Sequence, residues 1–217
     1  MSLLELLRRL FRRRSTEPLT GLEPARTRLV VGLGNPGPEF ADTRHNVGFR
    51  CVDELARRCG AAWQDKTTTL GSLIAVARPT PELTLVLAKP HTFMNRSGRA
   101  VKDLRDLLKL PTSHCLVVYD DMDLPLGALR MRERGSPGTH NGMRSVISAL
   151  GTDDIARLRM GISQAGSAGA TNHVLSEFTP EERGIVEELI ARSADTVLAW
   201  AIEGAAVAMN RYNKGVV

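Results

Sequence analysis

The chain has 217 residues, 42% of them hydrophobic, enough for one buried core and short for two. Its net charge is +5, but residues 1–28 hold seven arginines against three glutamates, so the rest of the chain is nearly neutral and lends no overall positive field to an anionic partner. Three cysteines without a C-x-x-C pair argue against a disulfide framework or a thiolate metal site, and no apolar run reaches the ~18 residues of a membrane span. A soluble, intracellular protein is expected.

The opening LLELLRRLFRRR sets Leu3, Leu4, Leu7, Leu10 and Phe11 at helical spacing against arginines, and STEPLTGLEPAR then breaks the pattern. Residues 1–25 therefore read as an Arg-rich extension, partly helical or disordered, and residues 26–217 as the folded domain. TRLVVGLG is a short apolar strand. HNVGFRCVDELARRCG is a helix with Val47, Cys51 and Leu55 inward and Gly60 just past its end. GSLIAVA and LTLVLAK read as a hairpin-like strand pair separated by Pro79 and Pro81. Ser97 is expected to cap a helix that buries Val101, Leu104 and Leu108 and stops at Pro111. CLVVYDD is a buried strand running into acids, GALRMRE a half-polar strand, GMRSVISALG a helix closed by Gly151, and RLRMGI a last strand. After Phe178, the residues Thr179, Pro180 and Glu182 fit cap, first-turn and capping-box positions, and two helices with a break near Ser193 or Gly204 follow. This alternation defines an α/β fold: a single domain with a mixed central sheet and helices on both faces.

GLGNPG, Gly32–Gly37, formally matches the G-x-G-x-x-G dinucleotide fingerprint. That fingerprint needs a helix starting at once, so that the pyrophosphate meets its N-terminus. Here Pro36 and Pro38 bracket Gly37 and the next helix starts only near Asn46, while Asp53 and Glu54, at the offset of the ribose-binding acid, lie inside a helix. The segment reads instead as a strand end followed by an Asn-Pro-Gly turn, presenting Asn35 at the rim where α/β sheets bind ligands.

Other polar residues sit at similar strand ends or helix starts: His45 and Asn46 in TRHN, Asn95 in TFMN, His140 and Asn141 in GTHNG, and the acids of YDDMD. A histidine that accepts a proton needs a carboxylate to fix its tautomer and offset its charge, and Asp120 is the best placed. Asp121 and Asp123 read as turn or surface acids. Their alternation along an extended strand, with no adjacent His or Cys, argues against a metal site. No G-x-S-x-G elbow is present. The chemistry suggested is thus water activated by histidine, with Asn amides holding a carbonyl or oxyanion. Arg130, Arg132 and Arg134 recur at period two, Arg157 and Arg159 share a face of another strand, and Arg144 starts the neighbouring helix, a pattern that fits a phosphate track.

The strings GLGNPG…FADTRHNVGF, KPHTFMNRSGRAV, VVYDDMDLPLGALR, GTHNGMRSVI and RLRMGI together resemble the motif series of bacterial-type peptidyl-tRNA hydrolases, from about Arg28 to Phe178. The resemblance implies a cytoplasmic, monomeric enzyme with a hydrolase domain over residues 26–217. That enzyme would cleave the ester between the peptide and the tRNA 3′ ribose in peptidyl-tRNA, with no metal, cofactor or membrane. It implies His45 as the base supported by Asp120, with Asn35, Asn95 and Asn141 on the substrate and Phe93 and Met94 lining the crevice. Phe40 stands where the family commonly has Tyr, and Pro137 and Thr139 where it more often has a small residue and Gly. Arg130, Arg132 and Arg159 match its basic positions toward the tRNA backbone.

Overall fold

A computed structural model describes residues 19–163 and 170–213. The helix expected over Leu3 to Phe11 lies outside the described residues.

Seven strands form one sheet in the order β2-β3-β4-β1-β5-β7-β6. They are β1 (Thr27–Gly32), β2 (Gln64–Lys66), β3 (Ser72–Thr80), β4 (Leu83–Pro90), β5 (Cys115–Pro125), β6 (Leu129–Arg132) and β7 (Ala156–Ser163). The inner four, β4, β1, β5 and β7, run parallel; β3 and β2 add antiparallel on one edge and β6 on the other. The helices are α1 (Val47–Arg58), α2 (Thr67–Leu70), α3 (Ser97–Leu107), α4 (Asn141–Leu150), α5 (Ala170–Val174), α6 (Arg183–Glu203) and α7 (Ala205–Tyr212).

Strand side chains alternate between faces, and the apolar runs are buried on both. Leu29, Val31, Val86 and Val117 pack under α3 and α4 with Val101, Leu104, Met143 and Val146. Val30, Leu85, Leu116 and Val118 pack under α1 and α6 with Cys51, Leu55, Leu189 and Val197. Each such side chain contributes roughly 1.5–3 kcal/mol relative to an exposed one. Mixed sheet, double helical cover and the hairpin of β3 with β4 all agree with the sequence pattern. Leu19 and Leu22, counted above in the extension, pack against the α3/α4 side of the core.

Two local expectations are corrected and one open alternative is decided. Ser97 is the first residue of α3 rather than its cap, because the chain enters through a 3-10 turn (Met94–Arg96) and the Ser97 hydroxyl donates back to the Met94 carbonyl at 3.0 Å. Ser193 does not break the last helical region, since its hydroxyl donates to the Leu189 carbonyl inside α6; the break is at Gly204, whose φ is 93°. Glu182 does accept the Thr179 N–H at 2.8 Å, but α6 starts only at Arg183. The half-polar β2 and the single turn α2 carry too little pattern to be read in advance.

The glycines of the fingerprint have a packing role. A Cβ on Gly32 would lie 2.2 Å from the Gly48 carbonyl oxygen, and one on Gly48 would lie 2.5 Å from the carbonyl oxygens of Leu33 and Val118. Helix α1 thus starts directly against the ends of β1 and β5, which brings the residues before it to the rim of the parallel strands. No helix among the described residues is long and apolar enough to cross a membrane.

Candidate active site

The carboxyl ends of β1 and β5 open into a crevice of about 500 Å³, with Asn35, His45, Asp120, His140 and Asn141 among its lining residues. His45 lies in a 3-10 turn (Arg44–Asn46) between β1 and α1. Asp120, near the end of the parallel stretch of β5, is 1% exposed. The Nδ1 of His45 lies 2.8 and 2.9 Å from the two Asp120 carboxylate oxygens. Nδ1 therefore carries a proton and donates it, which in the neutral imidazole leaves the lone pair on Nε2. Among the described residues, Nε2 has no hydrogen-bond partner, and the side chain is 12% exposed.

A second histidine reaches the same carboxylate. His140 Nε2 lies 3.0 Å from Asp120 Oδ1, while its Nδ1 accepts the Met143 N–H at 3.1 Å as the cap of α4. An Nδ1 that accepts has no proton, so Nε2–H is the donor to Asp120. Burial alone would push the Asp120 carboxyl up, but the electrostatic attraction and hydrogen bonds of the His140 and His45 imidazole N–H groups outweigh it and hold the carboxyl at about 2. Asp120 thus stays a carboxylate at any ordinary pH. His140 was visible in GTHNG, but its tie to Asp120 joins residues that only the fold brings together; a His immediately before a helix was the one available signal.

The two amides on the crevice are oriented by their partners. Asn35 Oδ1 accepts the Met94 N–H at 2.9 Å, and Asn141 Oδ1 accepts from Arg144 Nη1 at 3.1 Å. With both oxygens held by donors, each residue has its NH₂ group to present. Asn46, next to His45, accepts the Asn35 N–H at 2.8 Å and donates to the Asn35 carbonyl at 3.0 Å, clamping the turn that carries Asn35. The sequence reading placed Asn46 beside His45 but did not foresee this clamp.

The remaining expected site residues are more dispersed. Asn95 lies beside Asn141 on an adjoining groove rather than in the crevice. Phe93 is 59% exposed, Phe40 is half-buried and Met94 is buried; none of the three lines the crevice. Arg132 and Arg159 line the crevice and Arg130 does not. In the β6–β7 ladder Arg130 stands opposite Arg159 and Arg132 opposite Arg157, so four arginines share one face of the sheet edge.

Two of those arginines are committed. Arg157, read above as part of a phosphate track, is buried, and its guanidinium donates to the carbonyls of Gly135, Ser136, Asp153 and Ile155. Arg159 pairs with Asp121. Asp121 is accordingly no solvated turn acid but a buried partner that also accepts the Asp123 N–H at 2.8 Å. The loop bearing Pro137 and Thr139 is anchored by Arg157 at one end and by Arg144, which donates to the Gly138 carbonyl, at the other.

His45, Asp120 and His140 place three ligand-type atoms within 4.8 Å of one another, a donor set that would also suit a divalent cation. Each imidazole nitrogen facing Asp120 already has a hydrogen-bond role, however, and a metal could bind there only by displacing both protons.

The fold and this centre together define a single-domain α/β protein with a carboxylate-oriented histidine at the C-terminal rim of its parallel strands. Comparison with known proteins narrows the class. A family model described as peptidyl-tRNA hydrolase matches residues 29–216. The chain is 49% identical over 187 residues to a peptidyl-tRNA hydrolase of Chloroflexus aggregans, covering 85% of this chain and 98% of the relative. It is 45% identical over 191 residues to one from Synechocystis, covering 86% and 95%. The crystal structure of the Acinetobacter baumannii peptidyl-tRNA hydrolase is similar with a TM-score of 0.81 at 30% identity, over 90% of this chain and 98% of that one. The chain belongs to the peptidyl-tRNA hydrolase family, a family of enzymes.

Proposed function

We propose that this chain hydrolyses the ester between the peptide and the tRNA 3′ ribose of peptidyl-tRNA, using water activated by His45 and neither metal nor cofactor. Beside the family membership, the observation that carries this reading is the division of labour on His45: Nδ1–H is spent on Asp120, and Nε2 faces the crevice with its lone pair available. In the reaction, Nε2 takes a proton from water as the water oxygen bonds to the ester carbonyl carbon, and the carbonyl π electrons move to oxygen. Collapse of this tetrahedral intermediate breaks the bond to the ribose oxygen, which leaves with the proton from the imidazolium. Peptide acid and free tRNA result, and neutral His45 is restored. Asp120 offsets the transient positive charge.

The NH₂ groups of Asn35 and Asn141 supply donors for the substrate carbonyl or the oxyanion, where one donor contributes about 3 kcal/mol. Asn95, Phe40 and Phe93 contact substrate outside the crevice proper. Arg130 and Arg132 meet the tRNA backbone, and Arg159 supports that face through its pair with Asp121. The protein works as a monomer in the cytoplasm.

The test uses N-acetylated aminoacyl-tRNA. Purified protein should release free tRNA, with a rate unchanged by a chelator, and His45→Ala should lower turnover by roughly 10²–10⁴-fold while tRNA binding stays within severalfold. Equal turnover in the variant, or loss of activity on chelation, would refute the mechanism.

A further inference from the structure

Arg44, His45 and Asn46 form one 3-10 turn, and at three residues per turn their side chains leave in directions about 120° apart. His45 goes to Asp120 and Asn46 to the Asn35 backbone. Arg44 goes the third way, into the interior, with its side chain 6% exposed beside a Glu182 side chain that is 4% exposed. Its Nε donates to Ser176 Oγ at 3.2 Å, its Nη1 to the Ile162 carbonyl and to Glu182 Oε1 at 3.1 Å each, and its Nη2 to Glu182 Oε2. The guanidinium lies 4.5 Å over the Phe178 ring, and the Arg44 N–H donates to the Ser176 carbonyl at 2.9 Å. A bridge between Thr43 and Glu177 continues the seam. The residues tied down in this way, 176–178, directly follow Val174 and Leu175, which line the crevice.

A buried ion pair is a poor stabiliser compared with apolar residues of the same volume, because both charges lose their water. A forked guanidinium on a carboxylate does supply direction, since two parallel bonds fix one plane. We infer that Arg44 is a positioning residue of the active site: gripped by Glu182, it fixes the turn that aims His45 at Asp120 and fastens the Val174–Leu175 wall of the crevice to that same turn. The inference rests on His45 as the base, but the geometry it describes can be read without substrate.

The variants keep either charge or shape, because removing one partner outright would leave the other charge buried and unpaired. Arg44→Lys retains the charge pair and loses the fork; Glu182→Gln retains the shape and a hydrogen-bond acceptor but takes away the counter-charge, and is the more destabilising of the two. Each is compared with the wild-type chain at a temperature where circular dichroism shows it folded. The first readout is the NMR signal of the His45 Nδ1 proton shared with Asp120, which should broaden or shift in both variants. The second is the kinetic split: kcat should fall tenfold or more with KM changing less, as expected when a reacting group is misaimed by a fraction of an ångström. A folded Arg44→Lys with the wild-type Nδ1 signal and wild-type kcat overturns the inference. If that variant does not fold, Glu182→Gln decides by the same two readouts. Should the wild-type protein fail to cleave the ester, the functional reading falls while the proton signal still decides this one.

Discussion

Two turns deliver a histidine to one carboxylate. The turn before α1 carries His45 and the turn before α4 carries His140, and both imidazoles stand about 3 Å from Asp120. What separates them is the far nitrogen. On His140 it accepts the Met143 N–H, so both nitrogens are occupied and the ring is a strut between Asp120 and the first turn of α4. On His45, which lines the crevice, the far nitrogen has no hydrogen-bond partner among the described residues. Proximity to an acid therefore does not identify the base; the destination of the other nitrogen does. Tyr119 is no competitor, although its ring lies 4.6 Å from that of His140, because burial pushes its hydroxyl up to about 12.

This comparison can be broken by substitution on either side of the carboxylate, and the largest expected effect after removal of His45 itself is at Asp120. Asp120→Asn should lower kcat by roughly 10²–10⁴-fold, because an amide at that position can donate to Nδ1 and leave the proton on the wrong nitrogen. The acid limb of the rate profile should move to lower pH, since the imidazolium loses the anion that stabilises it. In the wild type no break near pH 4 should come from Asp120, which is held at about 2. An unchanged profile in the variant would remove Asp120 from its role. His140→Ala should do less: about tenfold in kcat, the worth of one bond to a charged group, with a stability loss of about 1 kcal/mol from the uncapped helix. If it costs as much turnover as His45→Ala, the two histidines are not divided as the geometry divides them.

The sequence made one half of this comparison legible and hid the other. GLGNPG and YDDMD each end an apolar run and TRHN immediately precedes a helix, and an α/β sheet brings strand ends and the helix starts that follow them to one rim, so Asn35, His45 and Asp120 could be grouped in advance. The α/β class followed from the same alternation. Other partners that fix those residues could not be read, because each lies at a sequence distance no local pattern spans: Arg44 to Glu182, Asp120 to His140, Asn35 to Asn46 and Met94. Charge patterning misled at the sheet edge for a related reason. Period two gives arginines a common face but not their partners, and Arg157 and Asp121 proved to be buried where a phosphate track and a solvated turn were expected.

That sheet edge offers the smallest of the effects and a second contrast, between committed and uncommitted arginines. Like charges directly opposite each other in a ladder are destabilising unless something answers them. Arg157 is answered by backbone carbonyls and Arg159 by Asp121, whereas Arg130 and Arg132 have no ion-pair partner among the described residues. A polyanion lying along the edge would relieve the repulsion of each opposed pair. Arg130→Ala and Arg132→Ala should then weaken tRNA binding severalfold at low salt, and each should flatten the dependence of log affinity on log salt by about 0.7–0.9. Thermal stability should hold or rise slightly in both, because a repulsion is removed and no contact is lost. Arg157→Ala should show the reverse pattern, with stability lost through the freed carbonyls of the 135–136 loop. Titrations of tRNA across a salt series, run beside melting curves of the three variants, separate the outcomes. A salt slope unchanged by Arg130→Ala and Arg132→Ala would place the phosphate path on another face of the molecule.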